Sequence, residues 1–214
     1  MDWSEIVEQV LPYHGLNDPE VELPAILDAF GRTGAQRFLE IGTYQGGTSA
    51  AVALGYPDAE VYTIDLPQPE KAIVNAQPER LQGLAFKTLC PERVTQVYMD
   101  SSELSVLALP TPLIVSDFDM VFVDGDHRPE PTRLDLQNAA TLLTPTGAIL
   151  VHDYTDDSDP EPRPHWTRWV QEAVTLFVDE HRFVVERLPG WLALLWPGRS
   201  LLPEGTKEPG ESLP

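Results

Sequence analysis

Apolar and polar positions change period along this chain in a regular order. Residues 37–41, RFLEI, form a short, mostly apolar run bounded by turn residues, the pattern of a strand buried in a parallel sheet. AEVYTID (59–65) alternates toward a second strand that ends on Asp65. VTQVYMD (94–100) predicts a third, ending at Asp100. DMVFVDGDH (119–127) predicts a fourth, fully apolar over 120–123, and AILVHDY (148–154) a fifth. RFVVERL and WLALLW predict a closing hairpin around Pro189 and Gly190.

Helical periods fill the gaps. Residues 48–54 are small and apolar, and Gly55 behind them suits a C-cap. In 130–143, Leu134, Leu136, Ala139, Ala140, Leu142 and Leu143 form an inner stripe, with Arg133, Asp135 and Gln137 expected outside. Trp166, Trp169, Val170, Ala173, Val174 and Phe177 recur at helical spacing in 166–180 and are expected in the core. Residues 21–30 read as a helix ended by Gly31 and Gly34. Asp2 and Glu5 resemble a capping box for a first helix through about Leu11. Asp100-Ser101-Ser102 predicts a helix start running to about Leu109. Residues 66–93 hold a helix or two interrupted by prolines. TPTG is the predicted turn into strand five. The acidic stretch 155–165 is either a lid over substrate or a solvated linker.

Strands alternating with helices mean a mostly parallel sheet covered on both faces, with one antiparallel strand from the hairpin. Such sheets bind ligands at the carboxyl ends of their strands. Glu40, Asp65, Asp100, Asp124 and Asp153 all fall at predicted strand ends, so acids are expected along one edge.

Between strand one and the next helix lies Glu40-x-Gly42-x-x-x-Gly46-Gly47. Glycines there let the backbone turn tightly and approach a ligand. An acid beside the turn suits a cationic ligand rather than a pyrophosphate. The missing G-x-G-x-x-G counts against an NAD-dependent oxidoreductase. Asp65, one β-α-β step after Glu40, is placed to accept the hydroxyls of an adenosine ribose.

FLEIGTYQGGTS resembles motif I of class I S-adenosylmethionine (SAM)-dependent methyltransferases. FVDGDH and LVHDY are similar to small-molecule O-methyltransferases of the macrocin O-methyltransferase and cephalosporin hydroxylase-like kind. The resemblance covers residues 36–196 and implies a Rossmann-like seven-stranded α/β sheet of order 3-2-1-4-5-7-6. It implies cofactor contacts from Glu40, Gly42, Thr43, Tyr44, Gly46, Gly47, Thr48, Asp65 and Asp124, with Asp100 and Ser101 beside the adenine. It implies a divalent metal on Asp124, His152 and Asp153, and Asp126 as general base. This chain departs from the best-studied pattern at His152, where an acid is usual.

From the residues alone, Asp124 and Asp153 suit Mg2+ or another divalent cation, and His152 moves the preference toward Mn2+, Fe2+ or Zn2+. Without a metal, His127 or His152 is the candidate base. The expected reaction is O-methylation of a small hydroxylated molecule; a SAM-binding protein that does not transfer is the alternative.

Composition narrows the partners. The 214 residues suit one domain, and 42% hydrophobic content is enough for a core. A net charge of −20 and a pI near 4.4 argue against nucleic acid and anionic membranes. Cys90 is the one cysteine, expected as a small buried hydrophobe. No targeting segment or run of membrane-spanning length is read, so a cytoplasmic protein is expected. Residues 1–35 are expected as an N-terminal helical cap that closes over the site or makes a homodimer contact, with Trp3, Tyr13 and His14 chiefly packing. Residues 36–196 are expected as the methyltransferase domain and 197–214 as a disordered tail.

Overall fold

Every run read above as a strand lies in one sheet. The computed structural model describes residues 2–67, 81–104, 118–159 and 163–198. The strands are β1 Arg37–Ile41, β2 Glu60–Asp65, β3 Val94–Tyr98, β4 Phe118–Val123, β5 Leu143–His152, β6 Phe183–Leu188 and β7 Leu192–Pro197. They pair in the order β3-β2-β1-β4-β5-β7-β6. The first five run parallel, and β7 is antiparallel to both its neighbours. This is the Rossmann-like order that the sequence resemblance implied.

Successive strand residues serve opposite faces, as pleating requires. Phe38, Val61, Met120, Phe122, Ala148, Leu150, Leu192 and Leu194 join one core layer. Leu39, Ile41, Ile64, Val121, Val123, Ile149, Val151, Ala193 and Leu195 join the other. The first layer packs on helices α1 Ser4–Val10, α2 Pro19–Thr33, α3 Gly47–Gly55 and α4 Leu84–Leu89. The second packs on α5 Pro129–Leu142 and α6 His165–His181. Cys90 is buried in the first layer, as expected.

The leading helices rest on the same face of the sheet as α3. Val10, Leu23, Ile26 and Phe30 share a core with Ala50, Ala51 and Val52 of α3. A Cβ on Gly47 would stand 3.1 Å from the carbonyl oxygen of Tyr13 and the Cα of His14. The α1–α2 connection therefore lies directly on the glycine turn.

Several local expectations are corrected. The N-cap of α1 is Trp3, without a side-chain cap bond; Asp2 accepts instead from the Ser4 amide at 3.0 Å. Gly31 lies inside α2, where a Cβ would stand 2.3 Å from the Tyr56 hydroxyl, and Gly34 in the left-handed region ends the helix. β3 stops at Tyr98, and a 3-10 turn over Ser101–Glu103 stands where a helix was expected; 105–117 lie outside the described residues. The TPTG turn is part of β5, which shifts register against β4 there. Asp135 is buried rather than outside, and Trp169 is 38% exposed. The tail from 199 onward also lies outside the described residues.

Candidate active site

Gly42 follows β1 directly, with a φ of +102° that a side chain rarely adopts. A Cβ there would stand 2.1 Å from the carbonyl oxygen of Asp124. The glycine thus lets the end of β4 close against the end of β1. Gly46, also at positive φ, caps α3 at its N-terminus.

Glu40 is buried under this turn. Its Oε2 accepts the hydroxyls of Ser49 at 2.6 Å and Thr63 at 2.7 Å. Burial pushes its carboxyl up to about 8, against those two bonds and with help from the charges of Asp124 and Asp65. Thr43 bonds Thr63 at 2.8 Å, and both Thr43 and Thr48 are buried. Asp65 ends β2 and accepts the amide of Leu66 at 2.8 Å and that of Tyr44 at 3.3 Å. The acid of strand two is thereby tied to the glycine turn of strand one. Asp100 caps its own 3-10 turn, accepting the Ser102 amide at 2.8 Å, and stays exposed.

A second cluster forms where β4 and β5 end. His152 Nδ1 stands 2.9 Å from Asp124 Oδ1 and 3.6 Å from Asp153 Oδ2. His127 Nε2 stands 2.7 Å from Asp153 Oδ2 and 3.7 Å from Asp124 Oδ1. Two oxygens and two nitrogens thus alternate around a small ring, all within 4.8 Å of one another. Despite its 2.7 Å approach, His127 Nε2 makes no aligned hydrogen bond. Two atoms this close form an ion pair when the imidazole is protonated, and are placed like two ligands of one cation when it is not. The donor set therefore fits a divalent ion, and the two imidazoles favour a transition metal over Mg2+. Asp153 holds a φ of +57°, a conformation that stores local strain and recurs at functional sites.

Ionised carboxylates and protonated imidazoles favour one another inside the cluster. Burial would raise Asp124, but the imidazoles of His152 and His127 outweigh it and hold the carboxyl at about 2. Burial would lower His127, but Asp124 and Asp153 raise it to about 9. His152 is likewise held well above its ordinary value by Asp124 and Glu22, against full burial. Asp153 lies below its usual range because His127 and His152 outweigh burial. Asp126 is not in this ring: Arg128 takes its carboxylate at 2.9–3.0 Å through Nε.

Sequence reasoning missed Glu22 and Asn17. Glu22 is fully buried on α2, 3.4 Å from His152 Nε2. Asn17 donates to Asp153 at 2.7 Å. A signal existed for Glu22, which falls in helical phase with the buried Ile26, Ala29 and Phe30. Also unforeseen is Asp135, whose carboxyl stands behind Gly125 and bonds Ser101.

A glycine turn flanked by buried acids, on a sheet of this order, defines a Rossmann-like protein built for a nucleotide-type cofactor. A family model described as a methyltransferase domain matches residues 39–154, and the chain belongs to that family. No protein of curated function matches it. Among solved structures it is similar to the S-adenosylhomocysteine (SAH)-bound methyltransferase PaMTH1 of Podospora anserina, with 19% identity and a TM-score of 0.62 over 91% of this chain and 87% of that one. An O-methyltransferase from Bacillus cereus in complex with SAH matches at 17% identity and TM-score 0.57, over 90% and 91%. TomG of Streptomyces achromogenes, an O-methyltransferase of tomaymycin synthesis in complex with SAM, matches at 19% and 0.56, over 92% and 89%. These likenesses are of fold. Among the described residues, no helix is long and apolar enough to cross a membrane.

Proposed function

We propose that this protein transfers a methyl group from SAM to an oxygen of a small hydroxylated molecule. The observation that carries the reading is the pairing of two acidic sites on one sheet edge: Glu40 and Asp65 at the glycine turn, and Asp124, His127, His152 and Asp153 at the ends of the next two strands. Asp65 receives the ribose hydroxyls, Glu40 faces the cationic end of the donor, and Gly42, Thr43, Tyr44, Gly46, Gly47 and Thr48 shape the turn around it. Asp100 and Ser101 border the adenine. Bound SAM supplies an electrophilic methyl on a sulfonium, for which no covalent enzyme intermediate is needed.

Asp124, His152 and Asp153 would hold a divalent cation in this reading, and His127 would complete the set. Such an ion lowers the pKa of a bound hydroxyl. The residues themselves fix the acceptor oxygen beside the donor and exclude water with the buried wall of His152 and Asp153. Of the three bases suggested by sequence, His127 and His152 stand in the cluster, whereas Asp126 must first leave Arg128. A metal-free reading has its own support. The carboxylates favour the protonated form of both imidazoles, so two positive charges stand beside the acceptor and would stabilise its oxygen while the hydroxyl proton passes to solvent or to Asp126 once it leaves Arg128. The cytoplasmic setting and a homodimer contact through the leading helices belong to this proposal as well.

Calorimetry with SAH is the test. Micromolar binding that Asp65→Ala abolishes is expected; a wild-type protein that binds no SAH ends the proposal. Methyl transfer from labelled SAM to a panel of hydroxylated acceptors, before and after EDTA and Mn2+ or Mg2+ add-back, separates the two readings. Binding without transfer to any acceptor would favour the non-catalytic alternative.

A further inference from the structure

We propose that Glu22 is a positioning residue of the reaction centre: its carboxylate accepts the hydrogen bond of His152 Nε2–H and so turns Nδ1 toward Asp124. The inference rests on the reading of His152 and Asp153 as reaction-centre residues. Glu22 Oε2 accepts the amides of Asn17 at 3.0 Å and Asp18 at 3.1 Å, and Oε1 accepts the amide of Trp191 at 2.9 Å. A carboxylate that accepts from three amides is an acceptor only, so the ring nitrogen 3.4 Å away is the donor. On the other side, Asp124 takes Nδ1 at 2.9 Å. Both nitrogens therefore have fixed partners, and flipping the ring would set carbon atoms against two carboxylates.

The carboxylate has no room to move away. Gly190 sits at φ +79°, and a Cβ there would stand 2.3 Å from Glu22 Cγ. The β6–β7 turn thus closes on the side chain from one direction while the start of α2 closes from another. Asn17 acts alongside: its Nδ2 donates to Asp153 Oδ1 at 2.7 Å and leaves Oδ2 for the cluster. A carboxylate behind an imidazole fixes its tautomer, and removing such a partner costs about 10–100-fold in metal affinity or activity. Which atoms at the end of β5 face the acceptor is therefore decided by a segment 130 residues upstream.

The test uses the full chain. Nitrogen-15 NMR of the histidine rings, with His152 assigned by its loss in His152→Gln, is expected to find Nε2 protonated and slow to exchange. Glu22→Gln keeps the volume and one acceptor oxygen. It is expected to shift that signal and to lower Mn2+ affinity and kcat by about 10–100-fold, with KM for SAM and SAH affinity unchanged. An unprotonated or rapidly exchanging Nε2 in the wild type overturns the inference. So does a Glu22→Gln protein with wild-type ring signal, Mn2+ affinity and kcat. If Glu22→Gln does not fold, the wild-type spectrum alone decides. The spectrum needs neither donor nor acceptor, so a wild type that fails to bind SAH removes the proposed function and leaves this inference to its own readout.

Discussion

His127 Nε2 and Asp153 Oδ2, one after each of two neighbouring parallel strands, stand 2.7 Å apart without a hydrogen-bond alignment. That approach suits an ion pair, and equally two neighbouring ligands that face one cation from the same side. Asp153→Asn keeps the size and removes the charge, so it should weaken Mn2+ binding by tenfold or more, on the order of a lost ligand charge. His127→Ala should weaken it less, since His127 is the more exposed partner. Calorimetry with Mn2+ in chelator-treated protein measures both; equal affinity in all three proteins would remove His127 and Asp153 from the ligand set.

Binding of the methyl donor should depend on pH through Glu40. Burial leaves this carboxyl protonated up to about 8 in the empty protein. A cationic ligand favours its ionised form, so below that pH binding must expel a proton. Affinity for SAM is then expected to rise with pH by up to about tenfold per unit between 6 and 8, and to level off above. Glu40→Gln should flatten the curve. Titration calorimetry in buffers of different ionisation enthalpy counts the protons released.

Stability should carry the opposite pH slope at Asp135. Burial, with Asp126 and Asp100 nearby, pushes its carboxyl up to about 7 in the folded chain, against its bond from Ser101. The unfolded chain ionises near the ordinary value of about 4. The folded state therefore binds the extra proton between those limits, and stability falls as pH rises through that window, by up to about 4 kcal/mol. Glu40 and His127 carry slopes of the same sign, so Asp135→Asn should make the slope shallower without removing it and leave the protein more stable than wild type at pH 8. Urea midpoints at pH 5 and pH 8 give the comparison.

Gly42 admits no side chain. Gly42→Ala would combine a left-handed backbone with a Cβ 2.1 Å from the Asp124 carbonyl. A loss of at least about 2 kcal/mol is expected, together with weakened SAH binding, because the turn and the end of β4 must separate. Gly34→Ala is the control: its φ is +66°, but nothing lies within 4 Å, so it should lose only the backbone share and keep SAH binding.

Much of the sheet was legible because strand signals are local. RFLEI gives β1 with the bounds observed, and the alternation in WLALLW divides Leu192 and Leu194 from Ala193 and Leu195 between the two faces. The glycine turn was legible for the same reason: its backbone demand falls on the residues that carry it. Trp169 was misjudged because helical spacing shows which residues share a face, not how far each one is covered. Asp135 was misjudged because the Ser101 turn that covers it comes from another strand end.

What the sequence determined by itself, then, was the order of elements, the two faces of each strand, and a row of acids at strand ends. These follow from backbone geometry and side-chain period, both set within a few residues. Tertiary structure alone decided that Glu22 and Asn17 reach His152 and Asp153, that His127 joins them, and that Asp126 turns to Arg128 instead. Those partners lie up to 136 residues apart, and buried charges choose them by what is close enough to replace lost water.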